Sequence, residues 1–220
     1  MSTLLIDVDG TLIDSYPGIR AAFEASMEAV GHPLPDEEFL RRVSGPPIEE
    51  SFAALGFTAE QITAASKAFR ASYDSTGWRD CALFPGWEET LEQWKREGRT
   101  LCTATSKGEV IARRMLEHLG VAHLFDVIGG ADRSVGREAK SDVITHVLRQ
   151  LKQLNPLSSP TGSVLMIGDR HHDVVGAAAH GIRTVLVRWG HGYPQEWEQA
   201  YALAQSMDEL KGIVRDQLGD

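Results

Sequence analysis

Short apolar runs recur along this 220-residue chain, at residues 3–8, 100–105, 125–129, 164–167 and 184–187. They are rich in β-branched residues and lack a period of two. Strands buried on both faces read this way, and such strands belong to parallel sheets. Helical patterns lie between several of them. Residues 88–97 precede the second run. Residues 109–119 come after it, with Val110, Ile111, Met115, Leu116 and Leu119 expected on one stripe and Gly120 as a stop. Residues 142–151 place Val143, Ile144, Val147, Leu148 and Leu151 at helical spacing, and an Ala-rich helix over 174–180 ends at Gly181. Strands alternating with helices predict an α/β fold around a parallel sheet.

Residues from about 15 to 80 break that rhythm. They carry helical patterns at 19–30, 36–43, 48–55 and 60–73 and no convincing strand. The simplest reading is a helical insertion after the first strand, with "FPG" at 84–86 marking the return. This divides the chain into a sheet domain of residues 1–14 and 84–220 and a helical domain of residues 15–83. A chain of this length, 42% hydrophobic, can bury a core and carry a smaller unit beside it. "NPLSSPTGS" at 155–163 reads as a loop. Residues 194–220 are expected to be helical and to carry little chemistry.

The net charge of −9, with 31 acidic against 22 basic residues and no basic stripe, argues against a nucleic-acid partner. No apolar run reaches membrane-spanning length, and no basic segment leads into an apolar one at the start. Cys81 and Cys102 lack metal-ligand spacing and imply no disulfide framework, so a cytoplasmic location is expected. Cys102, in an apolar run, reads as core. The five tryptophans show no pattern of stacking platforms and are expected to serve packing.

The ends of the runs hold the chemistry. The first ends in Asp7 and Asp9, the second in Thr105-Ser106-Lys107, and the fourth in "IGDRHHD", with Asp169 and Asp173. In an open parallel sheet ligands bind outside the carboxyl ends of the strands, so these groups can converge. Buried carboxylates close together repel one another. A hard divalent cation relieves this, and an all-oxygen set suits Mg²⁺, which commonly meets phosphate substrates. With its charge offset, Asp7 can act as a carboxylate nucleophile. Asp9 can donate a proton to a leaving oxygen and later take one from water. A hydroxyl such as Thr105, backbone N–H groups and a lysine can hold the phosphoryl charge. Gly10 permits the sharp turn between the two roles.

"DVDGT", "ATSK", the lysine of "REAKSDVI" and "IGDRHHD" resemble, in order, the four motifs of the haloacid dehalogenase-like superfamily. The resemblance spans nearly the whole chain, and "SGPPIEESF" at 44–52 is similar to its phosphoglycolate phosphatase-like and 5'-nucleotidase-like members. It implies a Rossmann-like core with a helical cap inserted after the first strand. Asp7 then corresponds to the nucleophile and Asp9 to the general acid/base, whose carbonyl also meets the metal. Asp169 is the third metal contact and Asp173 a supporting carboxylate. Thr105, Ser106, Lys140, Gly10 and Thr11 would hold phosphate, with Thr103 an alternative register for Thr105. Gly45, Pro46 and Pro47 correspond to a cap loop that influences substrate choice. The implied reaction is Mg²⁺-dependent hydrolysis of a small phosphorylated metabolite, phosphoglycolate or a nucleoside monophosphate.

Other readings compete. A phosphomutase or a catalytically silent binding protein can share this scaffold. A 2-haloacid dehalogenase would need no acid at position 9. An Asp-x-Asp calcium loop fails, because glycine falls fourth instead of sixth and Gly18 stands where the bidentate Glu belongs. His171-His172-Asp173 invites zinc, but adjacent residues rarely bind one metal and the other donors are hard oxygens. Thr105 can also cap the helix after it. Lys107 reads as a solvated lysine, and Arg170 as a group for substrate or for an acid. Lys152, the fallback for Lys140, sits late in a helix.

Overall fold

The computed structural model of the chain describes residues 2–44, 47–154 and 163–219. It forms two compact units, one of Met1–Ile13 with Leu83–Asp220, the other Asp14–Ala82. In chain order the elements are β1 (Thr3–Ile6), β2 (Ile13–Asp14), α1 (Tyr16–Ala29), α2 (Glu37–Arg42), α3 (Ile48–Ala54) and α4 (Ala59–Ser75). Next come β3 (Ala82–Leu83), α5 (Trp87–Arg96), β4 (Thr100–Gly108), α6 (Glu109–His118), β5 (Val127–Ala131), α7 (Lys140–Leu154) and β6 (Val164–Gly168). The chain ends with α8 (His171–Ala178), β7 (Arg183–Val187), α9 (Pro194–Trp197), β8 (Ala202–Ala204) and α10 (Met207–Leu218).

The larger unit is built on a six-stranded sheet of order β5-β4-β1-β6-β7-β8, every neighbouring pair parallel. The α/β parallel-sheet expectation is borne out. The chain winds outward from β1 to one edge and then from β6 to the other, so its direction of winding reverses at β1/β6. Register makes the strand ends coincide: Ile6 of β1 is level with Thr103 of β4 and Ile167 of β6. The residues after Ile6 therefore lie beside those after Thr103 and Ile167.

Side chains alternate across the sheet and both faces are covered. On one face Leu5, Cys102, Ala104, Val127 and Met166 pack with Val143, Ile144 and Val147 of α7 and Ala177 of α8. Helices α5 and α10 pack against the sheet as well, burying Trp87, Leu91 and Trp94 from the first and Leu210 and Val214 from the second. Charge favours the α5 termini, with Glu88 and Glu89 in its first turn and Lys95 and Arg96 in its last.

Two local expectations are corrected. On α6 the buried stripe is Ala112, Met115 and Leu116, while Val110 is 72% exposed. Val110 lies in the first turn of the helix, off the stripe that Ala112, Met115 and Leu116 bury. The tail is not all helix. Ala202–Ala204 forms β8, which pairs in parallel with β7 and extends the sheet by one strand. A three-residue strand is too short for a periodic signal.

The smaller unit carries α1 to α4. Its interior holds Phe23, Phe52 and Phe57, with Phe23 and Phe52 stacked at 5.3 Å between ring centroids. Helix α4 opens with a reciprocal cap between Thr58 and Gln61. Of the expected cap-loop residues, Pro47 precedes α3 and is exposed, while Gly45 and Pro46 lie outside the described residues. The loop expected at 155–163 likewise lies outside them except for its last residue. Among the described residues no helix is long and apolar enough to cross a membrane.

Leu5 is fully buried at the centre of the sheet. Leu5→Ala is expected to cost about 2–5 kcal/mol, seen as a lower urea midpoint with an unchanged slope.

Candidate active site

The turn after β1 is tight. Leu12 and Ile13 N–H groups both donate to the Val8 carbonyl, at 3.1 and 2.9 Å, and Gly10 N–H donates to Ile13 O at 2.9 Å. Gly10 has φ +79°, a left-handed conformation that favours glycine, and a Cβ there would strike the Asp169 carboxylate. Asp7 N–H donates to Ile167 O at 2.9 Å, which carries the parallel ladder one residue beyond β1 and sets Asp7 beside the end of β6.

Lys140, the first residue of α7, is buried and spans the gap between strands. Its Nζ lies 2.7 Å from Asp7 Oδ1, 2.7 Å from Asp173 Oδ1 and 2.9 Å from the Ala104 carbonyl. The other Asp173 oxygen accepts from the backbone N–H groups of Asp169 and Arg170, each at 3.1 Å. Asp173 is thereby occupied on both oxygens. Asp169 is fully buried, with Oδ2 accepting from His191 N–H at 2.7 Å and Oδ1 3.5 Å from the Thr11 hydroxyl. One oxygen from each of Asp7, Asp169 and Asp173 lies within 4.8 Å of the others.

These carboxylates are costly to keep charged. Burial raises the pKa of Asp7 to about 6, with Lys140 opposing the rise and Asp173 adding to it. Burial, then Asp173 and Asp7, raise Asp169 well above the usual carboxylate range. Burial opposes the charge on Lys140, but Asp173 and Asp7 outweigh it and hold the ammonium above its ordinary value. Three buried acids thus face one buried ammonium. A divalent cation fits that imbalance, and the oxygen-only donor set suits Mg²⁺, with Asp7 and Asp169 as the carboxylates available to it.

Strand β4 brings the third group. Thr105 is buried at a register shift between Thr105 and Gly108, and its hydroxyl accepts from Lys107 N–H at 3.2 Å. Such bulges re-aim side chains at strand ends. Thr103, the alternative register, instead donates its hydroxyl to Gly129 O at 3.0 Å within the sheet, and Ser106 is exposed. Gly108, not Thr105, occupies the N-cap of α6. Lys107 departs from expectation most. It is not solvated: its Nζ sits 2.8 Å from Asp9 Oδ2, with 9% of the side chain exposed. Arg170 is likewise committed to an acid, Glu196, at 2.8 and 2.9 Å, and His171 Nδ1 lies 3.0 Å from the same carboxylate.

Asp7, Asp9, Gly10, Thr11, Thr105, Lys140, Asp169 and Asp173 thus gather at one end of one sheet within the larger unit. Lys107, His191 and Glu196 join them unforeseen. Lys107 directly follows Thr105 and Ser106, but the direction of a side chain at a bulge is not written in spacing. "RWGHGYP" at 188–194 comes after the fifth apolar run, and its place beyond a strand's carboxyl end was the available signal.

This arrangement of fold and motifs is matched among known proteins. A model for haloacid dehalogenase-like hydrolases matches residues 4–187, and the chain belongs to that family. It is 41% identical over 189 residues to the tyrosine-protein kinase PtkA of Mycobacterium tuberculosis, covering 86% of this chain. The chain spans only 62% of that relative's length. It is 32% identical over 194 residues to a 5'-nucleotidase of Pseudomonas aeruginosa, covering 88% of this chain and 85% of that one. A solved haloacid dehalogenase-like family hydrolase from Streptococcus pneumoniae superimposes with a TM-score of 0.86 at 32% identity, covering 99% of each chain.

Lys140→Met leaves two buried carboxylates without their cation, and is expected to destabilise the protein by about 3–5 kcal/mol, measured by denaturant unfolding. The pKa of Asp7 is raised on folding, from 3.8 to about 6. Its contribution to stability is therefore full below about pH 4 and lost as pH rises through about 6. Added Mg²⁺ competes with protons for these oxygens. It should raise Tm clearly at about pH 7.5 and little at about pH 5 in thermal unfolding.

Proposed function

We propose that this chain is a Mg²⁺-dependent phosphatase that hydrolyses a small phosphomonoester through an aspartyl phosphate. The observation that carries the reading is the buried Asp7 carboxylate, with one oxygen on the Lys140 ammonium and the other acids of the cluster close by. In this reading Asp7 attacks phosphorus and the ester oxygen leaves with a proton from Asp9. Water, deprotonated by Asp9, then attacks the phosphorus of the aspartyl phosphate, and phosphate departs with Asp7 restored. Thr105, Ser106, Gly10, Thr11 and Lys140 hold the phosphoryl oxygens. Asp7, Asp169 and the Asp9 carbonyl would hold Mg²⁺, which when bound would supply positive charge to the phosphoryl group.

The substrate class proposed is phosphoglycolate or a nucleoside monophosphate, the second in keeping with the relative named as a 5'-nucleotidase. The helical unit is proposed as a cap that selects substrate and excludes water, with Gly45, Pro46 and Pro47 in its specificity loop. A cytoplasmic location suits such a metabolite.

A second reading, phosphoryl transfer from a nucleoside triphosphate to tyrosine, is favoured by the name of the 41% identical relative. It uses the same Asp7 and differs in the acceptor, a tyrosine hydroxyl in place of water.

Phosphate release from a panel of phosphomonoesters decides between them. Wild type should release phosphate with Mg²⁺ and not with EDTA. Asp7→Asn should lower kcat at least about 10³-fold, and Asp9→Asn by about 10²–10⁴-fold, both with the fold retained by circular dichroism. Absence of release from every ester, with label from γ-labelled ATP appearing on tyrosine, would overturn the phosphatase in favour of the second reading.

A further inference from the structure

Residues 189–197, just beyond β7, belong to none of the motif-bearing segments, yet they touch the site at three places. His191 N–H donates to Asp169 Oδ2 at 2.7 Å. The Trp189 indole N–H donates to the Thr11 carbonyl at 3.0 Å, the same oxygen that accepts from the Trp87 indole at 2.8 Å. Gly190 has no room for a side chain, because a Cβ there would meet the Gly10 carbonyl and the Asp169 carboxylate. The segment therefore lies in contact with both the turn after β1 and the acid at the end of β6.

A clamp at the far end of this segment closes it onto the site. Glu196 takes Arg170 in a two-point grip, Nε to Oε2 at 2.8 Å and Nη2 to Oε1 at 2.9 Å, and it lies 3.0 Å from His171 Nδ1. Arg170 directly follows Asp169, and its own N–H is fixed on Asp173 Oδ2. Fork-to-carboxylate pairs of this kind fix orientation as well as distance. Burial works against the charge on Glu196, but Arg170 holds its carboxyl below the usual range, so the clamp is ionic.

We propose that Glu196 is a positioning residue: by clamping Arg170 it latches residues 189–197 over the β6–α8 turn and sets the direction of the Asp169 carboxylate. His191 N–H fixes Oδ2 at 2.7 Å and the Thr11 hydroxyl lies 3.5 Å from Oδ1, so the plane of the Asp169 carboxylate is held from both sides. The latch thus orients a carboxylate for a divalent cation without touching the cation itself, the part that outer-sphere partners play at metal sites. The inference rests on the reading of Asp169 as a Mg²⁺ contact.

Calorimetric titration of the purified protein with MgCl₂, without substrate, tests it. Glu196→Ala should bind Mg²⁺ about 10–100-fold more weakly than wild type. Glu196→Gln, which keeps the shape and loses the charge, should fall between. Lys95→Ala, which breaks the pair with Asp126 elsewhere in the same unit, should keep wild-type Mg²⁺ affinity. Wild-type Mg²⁺ affinity in folded Glu196→Gln and Glu196→Ala overturns the latch while leaving the metal site standing, as does an equal loss in Lys95→Ala. Should Glu196→Ala fail to fold, Glu196→Gln decides. Wild type that binds no Mg²⁺ overturns the metal reading and the latch together.

Discussion

The Lys140 ammonium, buried between Asp7 and Asp173, is the interaction on which the site depends. An ammonium is expensive to bury, and so is each carboxylate. Together they are tolerable only in close contact, which ties the first turn of α7 to the end of β1 and the start of α8. Lys140 also donates to the Ala104 carbonyl, so β4 is bound into the same knot. Loss of this one cation would leave the acids at the carboxyl end of the sheet to repel one another. Its presence leaves them still in excess, which is the electrostatic reason the site suits a divalent cation.

Strand order and register make that contact possible. Because β1 lies between β4 and β6 with Ile6 level with Thr103 and Ile167, the residues beyond these strands emerge side by side. Lys140, from the first turn of α7, then joins the end of β1 to β4 and to the start of α8. Functional groups on the ends of rigid strands are held more closely than groups on loops. The segment beyond β7 that does take part, residues 189–197 including α9, is fastened at Trp189, His191 and Glu196.

Relatives of this chain carry names as different as 5'-nucleotidase and tyrosine-protein kinase. One nucleophile that accepts a phosphoryl group can serve both, because the acceptor in the second step sets the outcome. In the proposed mechanism, which molecule reaches Asp7 once it carries the phosphoryl group is a matter of access, governed by groups beyond the acid cluster.

The sequence by itself determined the order of the five longer strands of the sheet and of the helices between them, because apolar period and β-branched runs are local properties. It also marked Asp7, Asp9, Thr105, Lys140, Asp169 and Asp173, since each stands at the end of a readable run or within a motif. Tertiary structure alone decided their contacts. Lys107 reads as a surface lysine and proves to be paired with Asp9. Glu196, in a tail that reads as helix without chemistry, grips Arg170 twenty-six positions back. The short β8 became a strand only because β7 was there to pair with it. Periodicity records which face of an element is apolar. It holds no information on which polar side chains from distant segments meet, because those distances are set by strand order, register and the turn of the backbone at each strand end.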